Sequence, residues 1–291
     1  MKSFSKPILG IDIGGTNIKA GVYVDAVLHD VRIVPTPAKE SQEKVLGTIA
    51  ELISGYEVYG FHAIGIGIPG LMDVGRGIVL NLSNIPSFQK VYLKDYLQEK
   101  FQKPVFVNND ANCFVLGEYK FGEAKIYRHV VGLTLGTGLG GGIIANGQLY
   151  CGVFAGAGEW CGVSYLDRDF EYYCSGKFFQ GNHGKKAKVL AKLAKGGDKE
   201  ALKAFEEYGS HLGELIKNIL YTLAPEAVVL GGSIRKAYPY FKDSLHRQLE
   251  TFQYKPVSEN FRVLISSLDE TGIHGAVALA AEQAALENAC C

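Results

Sequence analysis

The sequence predicts a mixed α/β protein of two domains in which one structural unit occurs twice. The chain has 291 residues, a length that suits two domains of about 100–200 residues each. Apolar runs of strand length alternate with segments of helical periodicity. The segments IDIGGTNIKAGVYV and LTLGTGLGGGIIANGQLY, one in each half, share the pattern of a strand, a turn of glycine and threonine, and a second strand. We therefore expect two related α/β domains.

The first half is predicted to open with an antiparallel meander and to continue with alternating helices and strands. Short connections between the first apolar runs indicate the meander, and Val45, Ile49 and Ile53 share one helical face. The predicted elements are strands at 8–13, 18–25 and 28–34, a helix at 41–54, strands at 62–68 and 104–108, and a helix from about 111 to 122.

The second half repeats the opening strand and hairpin before a long helix. The pair Asn146-Gly147 is typical of a two-residue type I′ turn. We place the boundary between the halves near residues 116–125. The predicted elements are a strand at 130–135, a hairpin about residues 146–147, an irregular segment at 150–183, a helix at 200–222, strands at 227–230 and 262–266, and an alanine-rich helix at 273–287.

Net charge and hydropathy exclude several classes of protein. Lys and Arg number 30, as do Asp and Glu, so the broad positive field of most nucleic-acid-binding proteins is missing. No run reaches the ~18 uninterrupted apolar residues of a membrane span, and MKSFSKPILGIDIGG lacks the apolar stretch and cleavage site of a signal peptide. We expect a cytoplasmic protein whose partners include neither nucleic acid nor membrane.

Two glycine-rich turns are candidate phosphate sites. Two segments match G-x-G-x-x-G, but neither leads into a helix as a dinucleotide fold requires, and a P-loop is absent. A turn of glycine and threonine instead exposes consecutive backbone N–H groups that bind anionic oxygens. The alternative is a pair of ordinary hairpin turns. The residues concerned are Gly14, Gly15, Thr16 and Asn17 in the first turn, and Gly136, Thr137, Gly138 and Gly140 in the second.

Polar residues at strand ends are candidates for chemistry. Asp12 stands on an otherwise apolar strand, where a carboxylate is costly unless it is paired, hydrated or near a cation. We interpret it as a contact to Mg²⁺ through water; a turn-capping role is the alternative. Asp110 stands at a strand-to-helix junction, where it is either a helix cap or a base that accepts a proton from a substrate hydroxyl. Asn109 beside it would fix a neighbouring hydroxyl.

The irregular segment 150–183 carries two further acids, Glu159 and Glu171, flanked by the aromatic residues Trp160 and Tyr172. Sugar hydroxyls need acceptors of this kind beside aromatic rings, although a solvated surface charge is the alternative. Cysteines are scattered without a C-x-x-C pair, which is typical of reduced core thiols rather than metal ligands. The final pair, Cys290-Cys291, is expected to have no function.

The motifs taken together resemble a known family. IDIGGTNIKAGV, GIGIPGLMD, VNNDANCFVLGE, LTLGTGLGGGII, GAGE and VVLGGSI occur in the order seen in ROK sugar kinases, from about residue 8 to 285. These belong to the actin/hexokinase/Hsp70-like superfamily. The resemblance implies a two-domain actin-like ATPase (ribonuclease H-like) fold with an interdomain cleft. It also implies domains at 1–117 and 118–272, the first completed by the C-terminal helix at 273–287.

The resemblance further implies ATP-dependent phosphorylation of a hexose, glucose or a broad range, at the 6-hydroxyl, with Mg²⁺ and by a homodimer. Asp110 would be the catalytic base. Alternative activities are a kinase for N-acetylmannosamine, N-acetylglucosamine or fructose. The implied sugar site is Gly70, Asn84, Asn109, Asp110, Glu159 and Glu171. The implied ATP and phosphate site is Asp12, Gly14, Gly15, Thr16, Asn17, Lys19, Gly136, Thr137, Gly138, Gly140, Gly231, Gly232 and Ser233.

The sequence departs from the family pattern in one region. Gly162 stands where many ROK members have a histidine, and the zinc loop C-x-C-G-x-x-G-C-x-E is deleted, with Glu171 at the position of its terminal glutamate. No zinc is therefore expected, and we expect the sugar site to be ordered differently. ROK repressors share the core and are the rival class. They carry an N-terminal helix-turn-helix domain, for which a first strand at residue 8 leaves no room.

Overall fold

The computed structural model describes residues 6–289, so the prediction for Cys290 and Cys291 lies outside the described residues. The chain divides into two compact units. The first comprises the described residues up to Gly122, the segment Cys151–Ala157 and the chain from Leu268 onward; the second comprises Glu123–Tyr150 and Gly158–Ser267. None of the described helices has the length and apolar character needed to cross a bilayer.

The first unit is built on a five-stranded sheet. Its order is β3-β2-β1-β4-β8, with β1, β2 and β3 antiparallel, as predicted, and β4 and β8 parallel to β1. Three short strands form a separate sheet, β5-β6-β7, that the sequence did not predict. The elements are β1 (Ile8–Ile13), β2 (Asn17–Val24), β3 (Val27–Pro35), α1 (Gln42–Ser54), β4 (Ala63–Ile68), β5 (Leu71–Asp73), β6 (Ile78–Leu80), β7 (Lys90–Tyr92), α2 (Leu93–Phe101), β8 (Val105–Asn109) and α3 (Asp110–Lys120).

The second unit repeats the topology of the first. Its sheet has the order β11-β10-β9-β14-β15, again three antiparallel strands followed by two parallel ones, which confirms the predicted repeat. The elements are β9 (Val130–Leu135), β10 (Leu139–Ala145), β11 (Gln148–Tyr150), β12 (Ser164–Tyr165), β13 (Arg168–Asp169), α4 (Phe170–Cys174), α5 (Gly176–His183), α6 (Ala187–Lys195), α7 (Lys199–Leu223), β14 (Ala227–Gly231), α8 (Tyr238–Glu250), α9 (Lys255–Asn260) and β15 (Arg262–Ile265).

The prediction that residues 150–183 are irregular was wrong for their second part, which folds into the hairpin β12-β13 and the helices α4 and α5. Local capping explains both helices. The Asp169 carboxylate accepts from the N–H of Tyr172 at 2.7 Å, and the Ser175 hydroxyl accepts from the N–H of Lys177 at 3.2 Å. Each therefore satisfies an N–H group that a helix start leaves without a partner.

The last described element is α10 (Thr271–Ala289), which packs in the first unit against β1, β4 and α3. Glycines make this packing possible. Gly10 and Gly65 are direct partners on β1 and β4, and a methyl group on Gly10 would lie 2.6 Å from the Ile273 carbonyl oxygen. One on Gly65 would overlap the backbone of Ala276. Several of the many glycines thus serve close packing between helix and sheet, a use that the sequence analysis did not predict.

Candidate active site

Asp110 is the first residue of α3, directly after β8. The helix start fixes its position, because the Asn109 side-chain oxygen caps α3 by accepting from the N–H groups of Ala111 at 2.8 Å and Asn112 at 3.4 Å. The Asp110 carboxylate itself accepts from the N–H of Ala111 at 2.9 Å. The helix start therefore holds this half-buried carboxylate as an acceptor at the sheet edge.

A buried amide network supports this junction. Asn108 is 1% exposed, and its side-chain oxygen accepts from the Asn109 N–H at 2.8 Å and from Asn112 Nδ2 at 3.0 Å. Its own Nδ2 lies 3.4 Å from the Cys151 sulfur. Asn109 Nδ2 donates to the Gly70 carbonyl at 3.2 Å, so three predicted sugar-site residues, Gly70, Asn109 and Asp110, lie together.

The first turn, residues 14–17, has some backbone groups in internal hydrogen bonds and others that are left for a ligand. The Gly14 N–H donates to the Asn17 carbonyl at 2.9 Å, and the Thr36 hydroxyl donates to the Gly14 carbonyl at 2.6 Å. Among the described residues, the N–H groups of Gly15 and Thr16 have no backbone acceptor. A Cβ on Gly15 would lie 2.8 Å from the Cβ of Asn84, which places that predicted sugar-site residue against this turn. Two adjacent donors are left for an anionic ligand.

Asp12 and Lys19 face each other on β1 and β2 at the base of the first turn. Lys19 Nζ lies 2.7 Å from a carboxylate oxygen of Glu270, and a Cβ on Gly272 at the start of α10 would lie 2.7 Å from an Asp12 oxygen. Burial raises the pKa of Asp12 to about 6; Lys19 opposes this rise and Glu270 adds to it. Within residues 6–289, no group of three His, Cys, Asp or Glu side chains could hold a metal ion.

The second turn, residues 136–138, follows β9 in the same manner. The Gly136 N–H donates to the Gly138 carbonyl at 3.0 Å, and the Gly136 carbonyl accepts from the Gly176 N–H of α5 at 2.8 Å. The N–H groups of Thr137 and Gly138 have no backbone acceptor in the part of the chain that the structure describes. Gly140 was predicted in this turn, but it lies in β10 opposite Thr134, because the hairpin already closes at the pair Leu135 and Leu139.

The two predicted acids of the second unit lie in different surroundings. A Glu171 oxygen is 2.8 Å from the position of a Cβ on Gly138, and its carboxylate pairs with the Lys177 ammonium. Glu159 accepts from the Cys161 thiol at 3.1 Å. Burial, together with Glu159, raises the pKa of Cys161 to about 12, so the thiol keeps its proton and acts as a donor. The structure thus places Glu171 at the second turn.

The end of β14 lies beside the base of the second turn. Gly231 pairs with Thr134 of β9, and Gly232 has a φ of 75°, where a methyl group would overlap the backbone of Leu135. Arg235 fixes this corner by donating from its Nη1 to the Gly232 carbonyl at 2.9 Å. Gly231, Gly232 and the adjoining Ser233 are therefore close in the fold to the residues predicted to hold phosphate.

Glu270, Cys151 and Lys177 contact these residues but were not predicted from the sequence. Glu270 is 251 positions from Lys19, and Cys151 is 43 positions from Asn108. No local spacing rule could have found either contact. Lys177 is only six positions from Glu171, yet the two residues belong to different short helices.

Comparison with known proteins decides the family. The model of the ROK family matches residues 8–283 of this chain. The chain belongs to the ROK family. Its similarity to a ROK glucokinase from Streptomyces griseus in complex with glucose and AMPPNP has a TM-score of 0.82 at 28% identity, over 95% of this chain and 99% of that one. The predicted actin-like ATPase fold is thereby confirmed.

The ROK relatives include both kinases and repressors. The glucokinase of Thermotoga maritima is 29% identical over 95% of this chain and 98% of its own length. The N-acetyl-D-glucosamine kinase of Pectobacterium atrosepticum is 31% identical over 77% of this chain and 83% of its own. The xylose repressor of Bacillus subtilis is 31% identical over 90% of this chain and 73% of its own.

Proposed function

We propose that the protein is an ATP-dependent sugar kinase that phosphorylates a hexose, glucose or a broad range of hexoses, at the 6-hydroxyl. The observation that carries the proposal is the position of Asp110, held at the start of α3 beside Asn109 and the Gly70 carbonyl. Each unit also has a glycine turn with two N–H groups that lack a backbone acceptor among the described residues. A base and anion-binding turns are the parts that phosphoryl transfer requires.

In the proposed reaction, Asp110 accepts the proton of the sugar hydroxyl as its oxygen forms a bond to the γ-phosphorus of ATP. The bond to the β-phosphate oxygen breaks, and ADP leaves. Positioning and charge stabilisation supply most of the acceleration in such reactions. The N–H groups of Gly15, Thr16, Thr137 and Gly138 would stabilise the negative charge on the phosphate oxygens.

Mg²⁺ would enter with ATP as part of the substrate. Carboxylate oxygens and water are ligands that Mg²⁺ prefers, and Asp12 at the base of the first turn fits a contact through water. Its raised pKa of about 6 leaves it mostly ionised at neutral pH. Lys19 would add positive charge beside the phosphates, and residues 231–233 would lie near the adenosine.

The sugar is proposed to be held by Asn109 and Asp110, with Gly70, Asn84, Glu159 and Glu171 as further contacts. A carboxylate and an amide at the same helix start are suited to two neighbouring hydroxyl groups, since the carboxylate accepts and the amide nitrogen keeps a second N–H to donate beside its bond to the Gly70 carbonyl. We further propose that the enzyme works in the cytoplasm as a homodimer. Light scattering on the purified protein measures its mass in solution and so tests the dimer.

Asp110→Asn tests the catalytic role. The variant keeps the shape and the helix start but loses the base, so we expect turnover to fall by on the order of 10²–10⁴ while hexose affinity stays within about tenfold. A coupled assay for ADP and calorimetry with the hexose measure the two quantities. Asp95→Asn is the matched control, because Asp95 also lies in the first turn of a helix, α2. Near-normal turnover in Asp110→Asn would remove Asp110 from the role.

A substrate panel distinguishes the sugars and the rival class. Glucose, N-acetylmannosamine, N-acetylglucosamine and fructose are each offered with ATP and Mg²⁺, and the ratio of kcat/KM values identifies the preferred substrate. The similarity to the xylose repressor is the observation that favours a sugar-responsive regulator. A protein that binds a sugar of the panel but releases no ADP with any of them would support that alternative.

A further inference from the structure

Lys177 lies beside the second turn and is not used by the proposed mechanism. It is the second residue of α5, directly after Gly176, whose N–H donates to the Gly136 carbonyl at 2.8 Å. A Cβ on Gly176 would be 3.8 Å from the Cα of Thr137. The ammonium of Lys177 pairs with Glu171, whose other oxygen lies against Gly138. A positive charge is therefore held next to the two N–H groups that the turn leaves available.

The ion pair between Lys177 and Glu171 can be replaced by a contact between Lys177 and a phosphate group. The side chains of Lys177 and Glu171 are 51% and 30% exposed, and ion pairs with this much solvent contact contribute little to stability. The triphosphate group of ATP carries several negative charges and accepts charge-assisted hydrogen bonds. A lysine ammonium on a flexible chain serves phosphate as a point charge. A phosphate at the turn would therefore draw the ammonium away from the single carboxylate.

The first turn has the same arrangement. Lys19 follows that turn on β2, and its ammonium pairs with Glu270 at 2.7 Å. Lys19 and Glu270 are 33% and 28% exposed, a similar degree of solvent contact. Each unit thus combines two N–H groups of a glycine turn with a lysine held by a glutamate. This repetition arises from unrelated elements, since Glu270 precedes α10 whereas Glu171 lies in α4.

We propose that Lys177 binds phosphate oxygens of the nucleotide, and that Glu171 is its counter-ion in the nucleotide-free protein. The inference rests on the proposed function, because it takes the second turn as a phosphate site. Nucleotide and the Glu171 carboxylate then compete for one ammonium. Glu171 accordingly sets nucleotide affinity in addition to its proposed contact with the sugar.

Calorimetric titration with ATP and Mg²⁺ tests the proposal. We expect Lys177→Met to weaken nucleotide binding about tenfold and to reduce its sensitivity to salt, with the hexose Kd unchanged. Lys177→Arg should retain most of the affinity, since it keeps the charge. Lys185→Met, which removes an exposed lysine just beyond the end of α5, should bind ATP like the wild type. Thermal unfolding of each variant checks that the fold is kept.

Glu171→Gln provides the second arm. If the carboxylate competes for Lys177, this variant binds ATP a few-fold more tightly, and the change disappears when Lys177→Met is also present. An active kinase in which Lys177→Met leaves the ATP Kd unchanged would overturn the inference and leave the proposed function standing. A wild-type protein that neither binds ATP nor releases ADP would instead overturn the proposed function.

Discussion

At the scale of a residue, Asp12 shows how a buried carboxylate lowers the stability of the folded protein at neutral pH. Its carboxylate lies on an interior strand, and burial raises its pKa from 3.8 to about 6 despite the opposing charge of Lys19. The folded protein therefore binds the proton of Asp12 more tightly than the unfolded chain does. Its contribution to stability is complete below pH 4 and is lost as pH rises through about 6. The ionised form that the proposed contact to Mg²⁺ would use is thus the form that burial disfavours.

We expect the difference in the free energy of unfolding between the wild type and Asp12→Asn to change with pH. The asparagine variant cannot ionise, so relative to it the wild type should lose up to about 3 kcal/mol between pH 4 and pH 7. Urea unfolding of both proteins at each pH measures this difference and cancels the titration of other groups. We expect the variant to be more stable at pH 7 and less active. A difference that stays constant with pH would contradict the raised pKa.

At the scale of elements, the sequence was sufficient where burial leaves a continuous apolar run. β1, β4, β9 and β14 were predicted within a residue or two for this reason. The helices α6 and α8 were not predicted, although the apolar residues of both repeat at helical spacing. The sheet β5-β6-β7 was missed because strands of three residues are too short to show a period.

Glycine at helix–sheet contacts leads to a second prediction, for the pair Gly65→Ala and Gly47→Ala. A methyl group on Gly65 would overlap the backbone of Ala276 in α10, so we expect a loss of more than about 2 kcal/mol. Gly47 lies inside α1 with no atom within 4 Å of an added Cβ. Alanine there should stabilise the protein by about 0.5–1 kcal/mol.

Urea unfolding of the two alanine variants measures both effects against the wild type. Equal effects would mean that α10 does not press on the sheet at Gly65. Neither glycine has a positive φ, so backbone strain does not separate the pair.

Within the candidate site, the sequence could predict the local features but not the contacts between distant segments. The helix start after β8 and the turn at residues 14–17 are local and were predicted from the sequence, although the residue that caps the helix is Asn109 and not Asp110. The pairs Lys19–Glu270 and Asn108–Cys151 exist only because the folded chain brings distant segments together. Gly140 belongs to the same glycine-rich run as the turn, and only the register of β9 and β10 shows that it lies in β10.

At the scale of the whole molecule, the last described helix packs on the first strands of the chain. α10 covers β1 and β4 in the first unit, and Ile273, Val277 and Ala280 are fully buried there. One face of the sheet of the first unit is thus covered by the last helix of the chain. The second unit has its own core and lies between these two parts of the chain in sequence.

The last prediction follows from this order. Val277→Asp would bury a carboxylate without a partner, which costs several kcal/mol, and we expect the first unit to unfold while the second stays folded. Hydrogen exchange read by mass spectrometry separates the two, because peptides from 6–122 should exchange fast and those from α7 and β14 slowly. Leu286→Asp is the control, since Leu286 is 60% exposed on the same helix, and it should change stability by less than about 0.5 kcal/mol. Loss of protection in both units together would mean that they fold as one cooperative body, and that α10 stabilises more than the sheet it covers.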